Sequence, residues 1–171
     1  SRRPLRSTLF PYTPLFRSDL IAENFFRPFA ELCRRHGLES MVEPYYGPFE
    51  SMICGAQVDI PMAEFWQDSD TDSVKMVSSI GHGYGKRIIA AESFTGEPEK
   101  HGRWLDTPYS MKAFGDQMFC RGINQFVFHC SVHQPWLNRV PGMTLGCYGI
   151  HLNRGNTWFE WAGPWMLYLA R

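Results

Sequence analysis

Apolar and polar positions change their spacing along this chain, and the changes mark its elements. Phe25, Phe26, Phe29, Leu32 and Cys33 recur at helical spacing, which predicts a helix over 19–36 with Asp19 as N-cap and Gly37 as its stop. Pro28 falls inside that pattern and should kink or divide it, because proline lacks a helical N–H and clashes with the preceding turn. A strand pattern follows over 38–46, closed by Pro44 and Gly47; after a short connection comes a buried strand over 57–60. Pro61 should end it, having no N–H to give a sheet ladder. A helix is predicted over 71–80 with Gly81 as its stop. The strongest strand, 86–92, is apolar at Ile88, Ile89, Ala90 and Ala91, as in a sheet covered on both faces. Thr107 as N-cap, Pro108 in the first helical position and Gly122 as terminator bracket the next helix. A further strand is read over 126–129, and a glycine-rich loop over 141–155 leads to a last helix containing Pro164.

The order is α-β-β-α-β-α-β-loop-α, an α/β pattern with buried strands. Its strands number half those of a (β/α)₈ barrel, and the expectation is a partial TIM barrel of about four parallel strands with their helices, truncated at both ends. A complete doubly wound sheet is the alternative, but no glycine-rich phosphate loop follows any strand. Gly81-His-Gly-Tyr-Gly85 precedes a strand instead of opening a helix, the wrong context for a nucleotide site. The first residues break the pattern. Ser7-Thr-Leu-Phe-Pro-Tyr-Thr-Pro-Leu-Phe-Arg-Ser18 has neither period and resembles the translation of a sequencing adaptor. Residues 1–18 are therefore set apart as a non-native segment and 19–171 as the domain proper.

Composition narrows the partners. The chain of 171 residues is 44% apolar, enough for a globular core, and its 15% aromatic content suits a core or a sugar cleft equally. Seventeen basic residues balance seventeen acidic ones without a basic run in the domain, which argues against nucleic acid or a membrane surface as partner. No apolar run reaches the ~18 residues of a membrane span. The cysteines, Cys33, Cys54, Cys120, Cys130 and Cys147, are odd in number and form no C-x-x-C pair, which makes a structural zinc site unlooked for.

Candidate chemistry gathers at predicted strand ends. Glu64 follows Pro61 and precedes Phe65 and Trp66, a place where barrels keep catalytic carboxylates; apolar surroundings there favour the protonated form of a carboxyl, as a general acid needs. The other reading is a solvated loop glutamate. Glu92 and the pair His129 and His133 stand at two further strand ends, and a barrel would bring all of them to one mouth. Paired carboxylates there suggest glycoside hydrolysis. The histidines suit sugar hydrogen bonding or strand-end packing better than a metal, since their spacing is helical and they lie on a strand and loop. Glu160 in Thr157-Trp-Phe-Glu160 reads either as half of a capping box or as an active-site carboxylate held at a helix start. Trp104, Trp136 and Trp158 are candidates for sugar stacking or for core. Asp59 and Glu43 alternate along strands and are read either as layer residues inside a barrel or as buried partners of a cation.

Several of these segments together resemble one family. Ala90-Ala-Glu-Ser-Phe-Thr-Gly96, Trp104, Thr107-Pro-Tyr-Ser-Met-Lys-Ala113, Gly115-Asp116, Gly122-Ile-Asn124, Phe126-Val-Phe-His129, His133-Gln-Pro-Trp136, Pro141-Gly-Met143 and Asn156-Thr-Trp158 with Glu160 form a collinear set that is similar to glycoside hydrolase family 106, the α-L-rhamnosidases. The resemblance implies a (β/α)₈ catalytic barrel, single displacement with inversion, and a calcium ion near the sugar. It implies Glu64 as general acid, Glu160 as a second active-site carboxylate that holds calcium or sugar, and a general base beyond Arg171. Met62 and Ala63 stand where the family tends to have an acidic residue and a glycine, a departure that bears on the local calcium or sugar contacts. Rhamnose carries a methyl group in place of a hydroxymethyl, and Phe65, Trp66 and Trp136 are the candidates for an apolar wall that selects it. Glu92, His129, His133 and Asp59 are the further substrate-binding candidates. The implied partner is a rhamnose-containing oligo- or polysaccharide and the implied location periplasmic or extracellular in a bacterium. A non-catalytic carbohydrate-binding or scaffold domain is the competing expectation; its carboxylates would diverge or pair with arginines.

Overall fold

The computed structural model describes residues 13–68, 71–139, 142–144 and 146–170, with side chains from Phe16 onward. Residues 1–12 of the segment read as non-native lie outside the described residues; the rest of it is helical. Helix α1, Thr13–Ile21, runs into a π-turn, Ala22–Phe26, and then into α2, Arg27–Arg35. Asp19 is therefore inside a helix, not its N-cap. The division expected at Pro28 is present: the wider π-turn absorbs the break, and Pro28 occupies the first turn of α2, where a missing N–H leaves least unpaired.

Strand β1 is short, Met41–Val42, and not the whole of 38–46. The connection after it holds a helix too short to show a period, α3 (Ser51–Gly55). Glu50 caps it, accepting from the Met52 N–H at 3.0 Å and the Ile53 N–H at 2.8 Å. Strand β2, Ile60–Trp66, begins where the sequence pattern suggested an end. The Ile60 N–H donates to the Ser40 carbonyl on one side, and pairing on the other side starts only at Met62. Successive residues face opposite sides, so the absent N–H of Pro61 removes no ladder bond.

Helix α4, Asp72–Gly83, runs through Gly81 instead of stopping there. Gly81 is explained by close approach: a Cβ on it would lie 2.3 Å from Cδ1 of Ile89. Strand β3, Ala90–Thr95, starts later than 86–92, because Lys86 is tied to the loop before β2 through the carbonyls of Ala56 and Val58, at 2.8 and 2.6 Å. Helix α5, Pro108–Cys120, has the expected bracket, with Thr107 and Ser110 capping reciprocally and Gly122 at φ 100° beyond its end. Strand β4, Gln125–Phe128, follows, and α6, Ala162–Leu169, closes the described chain.

All pairings in the sheet are parallel and the order is β1-β2-β3-β4. Each strand lies beside its predecessor without a reversal of direction across the sheet. Ala63 and Phe65 of β2, with Ala91 and Phe94 of β3, face α4, α5 and α6 in one core that holds Val74, Val77, Met111, Met118, Trp165 and Leu169. Met62, Glu64, Trp66 and Glu92 alternate onto the other, half-buried face. A doubly wound sheet reverses its order and carries helices on both faces. This open sheet instead has the winding of part of a (β/α)₈ barrel, with the polar face as the lumen side.

Asp59 was expected in the substrate site, and the structure assigns it elsewhere. It precedes β2 at the opposite end from Trp66, where it accepts from the Ser40 N–H (2.9 Å), the Ser40 hydroxyl (2.7 Å) and the Arg34 guanidinium (2.7 Å). Burial works against its charge, but the Ser40 and Arg34 bonds outweigh that and hold its carboxyl below the usual range. Stabilisation from a depressed carboxyl is present above the ordinary carboxylate range and is lost as pH falls through the folded value. Asp59→Asn should lower stability at pH 7 by about 1–2 kcal/mol in urea unfolding, with the difference shrinking below about pH 4, and should leave any sugar affinity unchanged. Gly81→Ala should lower stability by about 1–3 kcal/mol by pushing Ile89 out of its place, measurable as a drop in Tm.

Candidate active site

The register of β2 on β3 sets Glu64 directly opposite Glu92, and that of β3 on β4 sets Glu92 opposite Val127. In-register residues of a parallel ladder point to the same face, so both carboxylates enter the lumen side. Trp66 is two residues beyond Glu64 and shares its face; its indole N–H donates to Glu64 Oε1 at 2.5 Å. The Trp66 ring in turn leans on Tyr148 from the long loop, with centroids 5.4 Å apart. Glu92 Oε1 accepts from the Thr95 hydroxyl at 3.3 Å and lies 3.6 Å from Nδ1 of His129. The loop that carries Tyr148 is locked beside that histidine. Ile150 N–H donates to the His129 carbonyl at 2.9 Å, and Gly149, at φ 75°, passes so close that a Cβ would collide with this same carbonyl at 2.1 Å.

Two further groups belong here. Glu43, just past β1, and Tyr45 stand beside these carboxylates. Glu43 Oε1 and the Tyr45 hydroxyl are both buried, and the two side chains lie close enough to interact with each other. Burial first, then the charge of Glu92, push the Glu43 carboxyl up to about 7 against the Tyr45 hydroxyl, which pulls the other way, and the Glu64 charge adds a smaller push. The Tyr45 phenol is driven well above its ordinary range, by burial and then by Glu43. A carboxyl that keeps its proton near neutrality beside two more carboxylates is an arrangement suited to acid–base work. The alternation of Glu43 along its strand was visible in sequence. Nothing there showed that β1 would deliver it to Glu64 and Glu92.

Of the expected site residues, Glu64, Glu92, His129 and Trp66 come together. Phe65 does not join them. Being one residue from Glu64 on a strand, it points to the helices, fully buried against Phe94, Phe114 and Phe126 at 5.1, 5.7 and 6.0 Å, so it cannot line a sugar wall. His133 and Trp136 are exposed on the segment after β4, where the Arg139 guanidinium lies over the Trp136 ring. Glu160 is exposed in a 3₁₀ turn, Phe159–Trp161, before α6, and no hydrogen bond or ion pair joins it to the carboxylate group. Its capping box is not formed: Trp158, not Thr157, takes the N-cap position, without a side-chain bond. Trp158 is core, donating to the Asp106 carbonyl at 2.8 Å, and Trp104 rests on the buried His151 ring. Among the described residues no three His, Cys, Asp or Glu side chains converge on a point that would hold a metal ion. Among the described residues no donor set for calcium is built around Glu160.

Comparison with known proteins agrees with the geometry. A protein of Formosa agariphila named "Putative beta-glucuronidase" is 45% identical over 155 residues, which is 90% of this chain and 13% of that protein. The rhamnosidase from Novosphingobium sp. PP1Y has a solved structure that superposes with a TM-score of 0.77 at 30% identity, over 90% of this chain and 15% of that one. The chain thus spans about one seventh of each relative's length. Residues 11–171 match the description of glycoside hydrolase family 106, alpha-L-rhamnosidase. With a parallel α/β sheet that superposes on a rhamnosidase and carboxylates gathered on its open face, the chain belongs to glycoside hydrolase family 106.

Proposed function

We propose that the protein containing this chain hydrolyses terminal α-L-rhamnosyl linkages of oligo- or polysaccharides with inversion, Glu64 acting as general acid. The observation that carries this is the convergence of Glu64 and Glu92 on the open face of a sheet whose other face is packed against helices. A binding or scaffold domain would spread its carboxylates or neutralise them with cations. Among the described residues, neither of them, nor Glu43, is ion-paired with a lysine or arginine.

Glu64 gives its proton to the glycosidic oxygen while the Trp66 indole N–H, bonded to its Oε1, fixes the rotamer. After transfer the same N–H stabilises the carboxylate left behind. Glu92, steadied by Thr95 and His129, binds sugar hydroxyl groups. The general base that deprotonates the attacking water is contributed from outside this chain. The apolar wall reduces to Trp66 with Tyr148, which stand next to the acid.

The name of the Formosa relative raises a second substrate, a glucuronide. A glucuronide would bring its own carboxylate against Glu43, Glu64 and Glu92, with, among the described residues, no lysine or arginine paired to them to receive it. That charge balance favours a neutral sugar.

In the full-length gene product, an aryl α-L-rhamnoside should be turned over and an aryl β-D-glucuronide should not. Glu64→Gln should lower kcat/KM by about 10²–10⁴-fold, and Trp66→Phe by roughly tenfold. Undiminished turnover by Glu64→Gln would remove it from the role of acid. The 171-residue chain by itself should show no turnover, the base being proposed to lie outside it.

A further inference from the structure

We propose that Tyr148 is a positioning residue for the acid: by bearing on the Trp66 ring it holds the indole N–H against Glu64 Oε1 and so keeps the proton to be transferred on Oε2. This rests on the rhamnoside-hydrolase reading of the cleft and gives a residue of the long loop a part in the proton transfer. The chain of contacts is short. Trp66 donates to Glu64 Oε1 at 2.5 Å, and the Tyr148 ring meets the Trp66 ring with centroids 5.4 Å and planes 56° apart. An N–H bonds best to the carboxyl oxygen that carries no proton, so an indole held at Oε1 assigns the proton to Oε2.

The ladder does not place Trp66 as it places Glu64. Between the pairs Glu64–Glu92 and Trp66–Thr95, β3 carries one residue more than β2, and Phe94 within that bulge has φ 63°. A bulge re-aims the side chains beyond it, so the register that fixes Glu64 leaves the Trp66 ring to be set by what packs on it. The segment that follows Tyr148 is anchored to two other strand ends. In the loop after β3, the Gly149 N–H donates to the Gly96 carbonyl at 3.2 Å and the Gly149 carbonyl accepts from the Arg103 N–H at 2.5 Å. After β4, the Ile150 N–H donates to the His129 carbonyl at 2.9 Å and the Ile150 carbonyl accepts from the Cys130 N–H at 3.1 Å. Ile150 itself is in the core, 1% exposed. The two loops approach this closely because Gly102 has no Cβ, which would lie 2.8 Å from the Gly149 carbonyl oxygen. Tyr148 is thus carried on a span held by β3 and β4, and it passes that hold to an indole at the end of β2. The contact is ring on ring, so phenylalanine can make it and alanine cannot.

The test is steady-state kinetics of the full-length gene product on a dinitrophenyl α-L-rhamnoside, whose leaving group departs with little protonation, and a methoxyphenyl α-L-rhamnoside, whose leaving group needs the acid. Values of kcat are compared, because contacts made equally in ground and transition state cancel from them. On the methoxyphenyl substrate Tyr148→Ala should lower kcat about fivefold and Trp66→Phe about tenfold, while the double variant loses about tenfold and not the roughly fiftyfold of independent effects. On the dinitrophenyl substrate the same losses should shrink to about twofold. Tyr148→Phe should recover about half or more of the wild-type kcat. Losses that multiply in the double variant, or a Tyr148→Ala enzyme altered in KM alone, overturn the proposal. So do equal losses on both substrates with a lowered Tm, which is what a merely structural tyrosine gives. If Glu64→Gln is crippled on the methoxyphenyl substrate while Tyr148→Ala keeps the wild-type kcat, the catalytic reading stands and this role falls. If Glu64→Gln turns that substrate over undiminished, both fall.

Discussion

The structure depends on the in-register parallel pairing of β2 with β3, because that pairing decides which side chains meet. Ala63 lies opposite Ala91 and Glu64 opposite Glu92. Ala63, Phe65, Ala91 and Phe94 are all fully buried under the helices. Burying two phenylalanines contributes a few kcal/mol. A slip of one residue would exchange the faces, exposing the aromatic rings and driving two carboxylates into an apolar core. The hydrophobic face thus holds the polar face in place. Glu64, Trp66 and Glu92 are aimed into the cleft by residues that never touch it.

The rims of the cleft are tied in a comparable way. Asp106, 2% exposed, accepts from the Gly102 N–H at 2.8 Å and lies 3.3 Å from Nδ1 of His101, whose Nε2 is 2.9 Å from Asp68. Asp68 follows β2 and Asp106 precedes α5, so one imidazole joins the loops that leave β2 and β3. Burial pulls His101 toward the neutral form, but its bonds to Asp68 and Asp106, and their charges, outweigh it and raise its affinity for a proton. The ring is therefore a staple between two carboxyl groups, at the end of the strands where the cleft opens. It contributes stability below the ordinary histidine range that is lost as pH rises through the raised folded value.

Much of this was legible in the chain, for a physical reason. Caps and stops are local chemistry, so Thr107, Pro108 and Gly122 marked α5, and Pro28 marked the break between α1 and α2. The α/β order and the grouping of Glu64, Glu92 and His129 follow from hydrophobic runs alone. Strand limits did not follow, since they depend on which neighbour offers a ladder: Pro61 reads as a terminator until the empty side of its strand is known. Face assignment needs the parity of the strand, and with Phe65 and Trp66 placed in a loop both looked available to a sugar, although alternation allows only one. Gly81 reads as a stop until Ile89 is packed on it. Asp59 needs Arg34 and Ser40, and Glu43 needs Glu92 and Tyr45, none of them near in sequence except Tyr45.

Adjacent strands also limit the mechanism. Parallel strands lie about 4.8 Å apart, so in-register carboxylates such as Glu64 and Glu92 leave the sheet at about that separation. Inversion requires two carboxyl groups about 6.5–9.5 Å apart, with a water between them, whereas about 5–5.5 Å is the spacing of a double displacement. Glu92 is moreover engaged by Thr95 and His129. An inverting pair cannot therefore be built from neighbours on this ladder. If the reaction inverts, as proposed, the partner of Glu64 therefore comes from a strand other than β3, far enough from β2 to leave a water between the two carboxyl groups.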